Sequence, residues 1–493
     1  MKRLSSTVLV LAGLAACSSD SDSGSTPPAD EGPSEVRFPA GFMWGSASAA
    51  FQVEKGLGNT DWGIWVKTPG KIKNGDDPDV GGADAFAHIA EDVALLKSTG
   101  QNTYRFSIEW ARIYPTRAAF DADQPDAGAI AKYDELFAAL KNAGIAPMVT
   151  LQHFSLPDWL SDPRLPDEPQ GWERPEAITL FAEWCGRAAA RWAAEVEWWV
   201  TINEPMVAPI AGYVQGSFPP GLTLKIERAL TVGRNEAIAH AKCFDAIKQK
   251  DATSMVGIVQ HMRDVEPEDP NEPNDVAAAD RVRRVNNAWI LDVVVNGDWD
   301  DDFDGKLDGP KDRRGDPELK GRSDYIGINY YSALTAGARG LVLPVVDAAI
   351  RQERLLTERP KTDFFWDIYP KGLRNVLEEV RRYNQPIVIT ENGIADSADN
   401  NRARFILEHL YELGRARDSG LDIRGFIYWS LLDNFEWASG FCPRFGLASV
   451  DPATKARTQR ASAAVYKEVA TTNVVTRAMI DAQRPYADPI YCE

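Results

Sequence analysis

The chain has 493 residues and a net charge of −18, because 72 Asp and Glu residues outnumber 54 Lys and Arg residues. This excess of negative charge disfavours nucleic acids and other acidic polymers as partners, since their charge has the same sign. The five cysteines show no CxxC spacing and the five histidines show no HExxH or HxH pattern, so the common zinc motifs are excluded.

The chain begins with the pattern of an export signal. Lys2 and Arg3 precede a short apolar run, and small residues lead to the cysteine of LAAC, residues 14–17. The run is too short to span a bilayer stably. LAAC is similar to the lipobox of bacterial lipoproteins, whose cysteine is lipidated. We therefore expect residues 1–17 to be a lipoprotein signal peptide with Cys17 as the lipidation site; an ordinary signal peptide with a chance cysteine is the alternative.

Residues 18–35 predict a disordered linker between the lipid and the folded body. The segment has no aromatic residue and no Val, Leu, Ile or Met, so it cannot bury enough apolar surface to fold. Ser18, directly after the cysteine, is typical of lipoproteins that are sorted to the outer membrane. The expected location is the bacterial cell envelope, at the outer membrane or in the periplasm, with the lipid anchor as the only membrane attachment.

From about residue 38, β-rich runs alternate with amphipathic helical patterns, which is typical of a parallel sheet built from βα units. Eight runs predict strands, at residues 42–46, 103–107, 146–151, 197–202, 256–260, 325–329, 386–390 and 424–429. The glycine-rich turn of a dinucleotide-binding fold is absent. We therefore predict an α/β fold, a single (β/α)8 TIM barrel with extended βα loops over residues 36–470, followed by a C-terminal tail, residues 471–493.

Two of the predicted strands end in a glutamate. VTINEP places Glu204 after the fourth strand, where a proline stops further pairing. IVITENG places Glu391 at the end of the seventh strand, where Asn-Gly predicts a turn. The active sites of (β/α)8 barrels lie at the carboxyl ends of the strands, so both carboxylates are expected on one rim.

Two carboxyl groups on one rim can cleave a glycosidic bond. One protonates the leaving oxygen, and the other attacks the anomeric carbon or activates water. A separation of about 5 to 5.5 Å leads to retention and a wider one to inversion, but a sequence does not report this separation. A single glutamate more often caps a helix or pairs with an arginine, so the prediction depends on two of them at equivalent strand ends.

Further polar and aromatic side chains lie at or just after the predicted strand ends. They are Gln52, Arg105, His153, Asn203, Tyr331, Trp429, Glu436 and Trp437. Indole rings suit sugar binding, because the apolar face of a pyranose stacks on an aromatic plane while its hydroxyls need polar partners. Other tryptophans, such as Trp184 and Trp192, lie on helical stripes and are expected in the core.

The acidic run DDDFDGKLD, residues 300–308, resembles the start of a calcium-binding loop. Asp300, Asp302, Asp304 and Gly305 match positions one, three, five and six. Position twelve is Lys311, where a bidentate glutamate belongs. The sequence therefore favours a solvated acidic loop, so no metal site is assigned, and it leaves calcium binding open as the alternative.

Four cysteines remain besides Cys17. Cys185 lies on an apolar helical stripe and is expected to be an ordinary core residue. Cys442 and Cys492 are able to form a disulfide in an oxidising compartment. The sequence leaves their pairing open.

Several ordered motifs show that the chain resembles glycoside hydrolase family one, the retaining β-glucosidases and β-galactosidases. FMWGSASAAFQVEKG (42–56) resembles the family's amino-terminal signature, TINEP its acid/base motif and ITENG its nucleophile motif, and the similarity spans residues 38–467. The resemblance implies that Glu391 is the nucleophile and Glu204 the acid/base. It also implies that Arg105 and Tyr331 keep Glu391 ionised by lowering its pKa.

The same resemblance assigns the sugar-binding residues. Asn203 is expected to bind the 2-hydroxyl, where contacts strengthen in the transition state. The resemblance places Trp437 beside the non-reducing sugar. It implies that the remaining hydroxyls of this sugar are bound by Gln52, His153, Trp429 and Glu436. Trp366, in DFFWDIYPKGL, resembles the family's aglycone platform. No cofactor is expected.

These features imply a retaining, exo-acting β-glycosidase, with β-glucosidase the expected activity on oligosaccharides or on aryl and alkyl glycosides. Glu436 and Trp437 stand where relatives for 6-phosphorylated glycosides carry phosphate-accepting groups, which implies a free sugar. Phe154 in HFSL replaces a tryptophan of many members. A non-catalytic sugar-binding lipoprotein and an endo-acting glucanase are the alternatives. The oligomeric state, and the choice among glucoside, galactoside and fucoside, stay open.

Overall fold

Eight parallel strands form a closed barrel in the computed structural model, which describes residues 32–339, 349–351 and 357–492. The strands are β1 (Met43–Ala47), β2 (Thr103–Ser107), β3 (Ala146–Gln152), β4 (Trp198–Asn203), β5 (Met255–Pro267), β6 (Tyr325–Gly337), β7 (Ile387–Asn392) and β8 (Ile423–Trp429). They pair in the order β5-β4-β3-β2-β1-β8-β7-β6, and β5 pairs with β6 to close the ring. All eight predicted strands are confirmed, and with them the (β/α)8 fold.

A long helix follows each strand, as expected for this fold. The eight helices are α1 (Ile89–Ser98), α2 (Ala127–Ala143), α3 (Glu176–Trp192), α4 (Ile226–Lys250), α5 (Pro273–Arg283), α6 (Pro370–Val380), α7 (Arg402–Asp418) and α8 (Ser462–Thr472). Short helices at Ala50–Val53, Asp61–Val66, Pro78–Gly81, Trp110–Ile113, Arg117–Asp121, Val207–Pro209, Trp289–Leu291 and Arg477–Asp481 lie in the connections. Within the described ranges, no helix combines the length and hydrophobicity needed to cross a bilayer.

Local sequence signals explain where the helices begin and end. The Asp126 carboxylate accepts a hydrogen bond from the Ala129 amide at 2.7 Å, and α2 begins directly after it. A side-chain acceptor at this position satisfies an amide that the first turn of a helix leaves unpaired. The same helix ends at Gly144, whose φ of 71° is a conformation that glycine adopts without strain.

The interior of the barrel is packed with side chains from the strands. They include Ala47, Met148, Val200, Val259, Tyr325, Val388 and Ile427, all buried. Larger apolar clusters fill the space between the strands and the helices. The barrel is therefore a rigid core, which holds the residues at its carboxyl rim in place.

Strands β5 and β6 are longer than the sequence predicts. Each has 13 residues, whereas the apolar runs that predict them cover residues 256–260 and 325–329. The two strands stay paired as far as Pro267 and Ala336, beyond the end of these runs. The extension carries charged residues such as Arg263 and Asp264, so its sequence lacks the apolar pattern of a buried strand.

The residues after 470 take part in the fold. Val474–Thr476 pairs antiparallel with Glu35–Arg37, and the short helix Arg477–Asp481 follows. These strands of three residues each are too short to be recognised from hydrophobic periodicity. Residues 1–31, and with them the predicted signal peptide, Cys17 and most of the predicted linker, lie outside the described residues.

Two disulfides connect distant parts of the chain. One joins Cys185 on α3 to Cys243 on α4, across 58 residues, and the other joins Cys442 to Cys492. The second is the pairing that the sequence leaves open. Cys185 is fully buried, as predicted, but it is a disulfide partner and not an ordinary core residue. The contact between α3 and α4 that brings the two sulfurs together is tertiary, so the stripe on α3 gives no sign of it.

Candidate active site

Glu204 and Glu391 lie at the carboxyl ends of β4 and β7. Glu204 directly follows β4, and Glu391 is the penultimate residue of β7. Both side chains are buried, with exposed fractions of 8% and 3%. The backbone of Glu204 has a φ of 51°, in the left-handed region that non-glycine residues adopt at a cost. The rigid barrel thus holds the backbone of Glu204 in a strained conformation.

The Asn-Gly pair after Glu391 does not form the open turn that the sequence predicts; it allows β7 to pack closely against β8. Asn392 is still part of β7, and its side-chain amide donates to the Tyr330 carbonyl at 2.7 Å. A Cβ atom at Gly393 would lie 1.8 Å from the Trp429 carbonyl oxygen. Only glycine allows β7 and β8 to approach so closely at the rim.

Glu391 is held by a guanidinium and a phenol. Arg105 Nη1 donates to Glu391 Oε1 at 2.6 Å, and Tyr331 Oη donates to Glu391 Oε2 at 2.7 Å. The same guanidinium donates through Nη2 to Asn203 Oδ1 at 2.6 Å. Arg105 is itself fully buried, so its charge acts in a medium of low polarity.

Asn329, on β6, connects the two glutamates and was not predicted as a site residue. Its side-chain amide donates to Glu204 Oε1 at 2.7 Å and to Asn203 Oδ1 at 3.2 Å, while its own Oδ1 accepts from the Thr390 hydroxyl at 2.8 Å. Asn329 stands two residues before Tyr331, so both side chains point to the same face of β6. This alternation is the signal that identifies it in the sequence.

The two carboxyl groups titrate as a pair. Burial raises the pKa of Glu204 to about 8, and the charge of Glu391 contributes to the rise. Burial also raises the pKa of Glu391, while Arg105 and Tyr331 oppose the increase. The two contacts predicted for Glu391 are present, but burial outweighs them, so the expected net lowering of its pKa is not found. Because the guanidinium bonds to Glu391, we assign the first deprotonation of the pair to Glu391.

A second group of polar side chains lies where β1 and β8 end. Gln52 Nε2 donates to Asn434 Oδ1 and to the Phe435 carbonyl, both at 2.8 Å. Trp429 Nε1 donates to Glu436 Oε1 at 3.1 Å. Burial raises the pKa of Glu436 to about 8. Gln52 Oε1 is buried and has no hydrogen-bond partner within the described part of the chain, which leaves an acceptor for a ligand hydroxyl.

His153 presents a free donor to the same region. Asn203 Oδ1 accepts from Arg105 and Asn329, so the Asn203 Nδ2 group faces His153 Nε2, at 3.2 Å, and donates to it. The ring proton therefore sits on Nδ1, which is buried and unpaired among the described residues. Burial and the charge of Arg105 hold the pKa of His153 well below its usual value, so the ring is neutral.

Aromatic rings border both groups of polar side chains. His153 stacks on Trp429 and on Trp437, with ring centroids 5.7 and 6.0 Å apart. Trp366 lies 5.3 Å from the Tyr331 ring and is only partly buried. The side chains predicted from the sequence are thus linked by direct contacts into one site, to which the structure adds Asn329 and Asn434.

The arrangement is suited to acid-base and nucleophilic chemistry on a neutral polyhydroxylated ligand. Arg105 favours the ionised form of Glu391, and burial favours the protonated form of Glu204. Unpaired donors and acceptors at His153 and Gln52 lie among indole rings, which matches the mixed polar and apolar surface of a sugar.

Comparisons with known proteins agree with this geometry. The model of the family described as "Glycosyl hydrolase family 1" matches residues 34–475. The chain is 32% identical to β-glucosidase A of Thermotoga maritima and 31% identical to a β-galactosidase of Pyrococcus woesei; each alignment covers 89% of this chain and 98% of the relative. The solved β-glycosidase of Thermosphaera aggregans superposes with a TM-score of 0.81 at 29% identity, covering 91% of this chain and all of that one.

The family match extends over nearly the whole described barrel and includes both glutamates and the polar side chains around them. The relatives align along almost their full length, so the match concerns the complete catalytic barrel and not a shared fragment. The chain therefore belongs to glycosyl hydrolase family 1.

Proposed function

We propose that this protein is a retaining, exo-acting β-glycosidase that removes terminal non-reducing β-D-glucosyl residues from oligosaccharides or from aryl and alkyl glycosides. The observation that supports it is the buried pair of glutamates in contrasting environments. Glu391 binds a guanidinium and a phenol, whereas Glu204 binds a neutral amide. This contrast provides a nucleophile and a proton donor in one site.

In the first step, Glu391 attacks the anomeric carbon while Glu204 gives its proton to the departing glycosidic oxygen. The carbon-oxygen bond to the aglycone breaks, and an ester between the sugar and Glu391 forms. Burial keeps Glu204 protonated near neutral pH, because its pKa lies at about 8. Tyr331 and Arg105 hold the attacking carboxylate in place.

In the second step, Glu204 acts as a base. Esterification removes the charge of Glu391, which is one of the causes of the raised pKa of Glu204. The pKa of Glu204 therefore falls, and its carboxylate takes a proton from the water that attacks the anomeric carbon. The ester breaks, the sugar leaves with its original anomeric configuration, and both glutamates return to their starting states.

The sugar is bound by the two groups of side chains around the glutamates. Asn203, which is held by Arg105, faces the 2-hydroxyl. Gln52, His153, Trp429 and Glu436 bind the other hydroxyls, and Trp437 lies beside the ring. Glu436 carries a carboxyl group where a 6-phosphate would require positive charge, which favours a free sugar. Trp366, only partly buried, supports the aglycone.

A panel of nitrophenyl glycosides tests this proposal. The chain without residues 1–31 retains Glu35–Arg37, which pairs with Val474–Thr476. We expect turnover of the β-D-glucoside, none of the α-D-glucoside, and a β-configured first product by NMR; the kcat/KM values of the β-D-galactoside and β-D-fucoside in the same panel decide the sugar preference. If the viscosity of a soluble β-glucan falls before monosaccharide accumulates, the result would contradict exo action. Binding of β-glycosides without turnover of any of them would contradict the proposed enzymatic activity.

We also infer that the protein is exported and anchored in the bacterial cell envelope by a lipid on Cys17. The two disulfides support export, since disulfides persist in oxidising compartments. In a bacterial host, the full chain is expected in the detergent-soluble membrane fraction, and Cys17→Ala in another fraction. A wild-type chain recovered free of the membrane, with residues 1–17 removed, would instead indicate an ordinary signal peptide.

A further inference from the structure

Three aspartates of one loop gather their carboxylates outside the active site. Asp300, Asp302 and Asp304 follow the helical segment Asp292–Asn296, which continues the short helix Trp289–Leu291. One carboxylate oxygen from each lies within 4.8 Å of the others. Asp302 and Asp304 are exposed to solvent, so water screens their charges. The sequence favours a solvated acidic loop here and leaves calcium binding open.

Asp300 differs from its two neighbours, because only 8% of it is exposed. Its Oδ2 atom accepts a hydrogen bond from the Gly305 amide at 2.7 Å. Its Oδ1 atom is buried and has no hydrogen-bond partner among the described residues. A buried carboxylate oxygen that shares a cluster with two other carboxylates is unfavourable unless a proton shared with a neighbouring carboxylate or a bound cation compensates it.

We propose that Asp300, Asp302 and Asp304 bind a calcium ion. The ligands are all carboxylate oxygens, which hard cations prefer. Their spacing of two residues, with Gly305 at a φ of 81° after the third, is that of the first half of a calcium-binding loop. Magnesium requires a smaller and nearly ideal octahedral shell, which three carboxylates from one side of the ion do not supply.

The second half of the loop makes this a weak site. Lys311 occupies position twelve, and its Nζ atom lies 4.0 Å from Asp301. Asp312 follows it, but its carboxylate accepts from the amides of Asp301 and Gly309, at 2.8 and 2.6 Å. Without a bidentate carboxylate from this half, we expect a Kd on the order of 10⁻⁴ to 10⁻³ M, the range of extracellular calcium modules.

Two positive charges near the cluster also limit the affinity. Lys306 Nζ lies 3.6 Å from Asp304 Oδ2, and Arg284 donates to the Gly305 carbonyl at 3.2 Å. The Lys306 side chain is mostly exposed, so it can turn into solvent when a cation binds. Arg284 donates its hydrogen bond to a backbone carbonyl, so the three carboxylates remain available to bind the ion.

The loop is attached to the barrel beside the segment that carries Glu204. Phe303, between two of the aspartates, is buried and stacks on Trp289 with ring centroids 4.2 Å apart. Phe303 and Met206 both border Gly233 of α4, where a Cβ atom would lie 3.7 and 3.8 Å from them. Calcium would therefore stabilise the packing next to Met206, two residues beyond Glu204, without contacting the substrate.

Terbium luminescence tests the proposal on the whole chain. Tb³⁺ replaces Ca²⁺ at oxygen sites, and Trp289, whose Nε1 donates to the Asp300 carbonyl at 2.8 Å, is positioned to sensitise its emission. We expect emission that millimolar Ca²⁺ displaces and equal Mg²⁺ does not. We also expect Ca²⁺ at about 10 Kd to raise the Tm by about 1 to 2 °C relative to EDTA.

The variant Asp302→Asn/Asp304→Asn removes two exposed carboxylates and leaves the buried Asp300 in place, so it is expected to fold. The control Asp418→Asn/Asp481→Asn changes the net charge equally at exposed residues of α7 and of Arg477–Asp481. The proposal requires that the first variant loses both the displaceable emission and the calcium-dependent Tm shift while the control keeps both. Equal signals from the two variants, or a wild-type chain that Ca²⁺ affects no more than Mg²⁺, would overturn it.

Discussion

Replacement of Glu391 by glutamine is expected to lower kcat for a β-glucoside by roughly 10⁴- to 10⁶-fold, the effect seen when an enzyme loses its nucleophile. Glutamine keeps the size of the side chain, and its amide oxygen can still accept from Arg105 while its NH2 group faces the Tyr331 hydroxyl oxygen as a donor. The amide cannot form the glycosyl ester. Initial rates with a nitrophenyl β-D-glucoside measure the loss. Because the residues that bind sugar hydroxyls are unchanged, sugar binding should persist.

Covalent trapping distinguishes a lost nucleophile from a damaged fold. An activated 2-deoxy-2-fluoro-β-glucoside should release one equivalent of phenol from the wild type in a burst and add the mass of one sugar to a peptide that contains Glu391. Glu391→Gln should show neither the burst nor the added mass. The control Glu468→Gln, at an exposed position of α8, should behave as the wild type. A label on another carboxylate would remove Glu391 from the nucleophile role.

The barrel and most of the site could be predicted because their signals are local. Each strand is a short apolar run, and every predicted site residue except Trp366 stands at or just after such a run, so the fold alone places these residues on one rim. Asn329 follows from the same logic, through its alternation with Tyr331. It was not predicted, because the family resemblance assigns a role to only one residue of GINYYS, Tyr331.

The features that could not be predicted depend on contacts between distant parts of the chain. The bond between Cys185 and Cys243 requires α3 and α4 to pack side by side, and the strand Val474–Thr476 forms only because Glu35–Arg37 lies next to it. The direction of the pKa shift of Glu391 also depends on distant parts of the chain. Its partners Arg105 and Tyr331 were predicted, yet the depth of its burial, which decides the net direction, is a property of the whole fold.

Replacement of Glu204 by alanine is expected to lower kcat/KM by about 10²- to 10⁴-fold for glycosides with poor leaving groups, the usual contribution of general acid catalysis. The loss should be much smaller for a dinitrophenyl glycoside, whose leaving group departs without a proton. Azide, which needs no base and fits the space left by the side chain, should restore turnover and yield a β-glycosyl azide. An α-glycosyl azide, or no rescue, would contradict the role of Glu204.

The pH profile gives a second test of the same residue. Glu204 acts on the glycosidic oxygen only when protonated, and burial together with the charge of Glu391 raises its pKa to about 8. The wild-type kcat/KM should therefore be highest between the pKa of Glu391, which must be ionised to attack, and the pKa of Glu204, and it should fall as the pH rises through about 8, since the free enzyme then loses the Glu204 proton. Glu204→Ala, assayed with a dinitrophenyl glycoside, should lack this alkaline fall. A fall that persists unchanged in the variant would assign it to another group, and the proton donor would have to be sought elsewhere in the site.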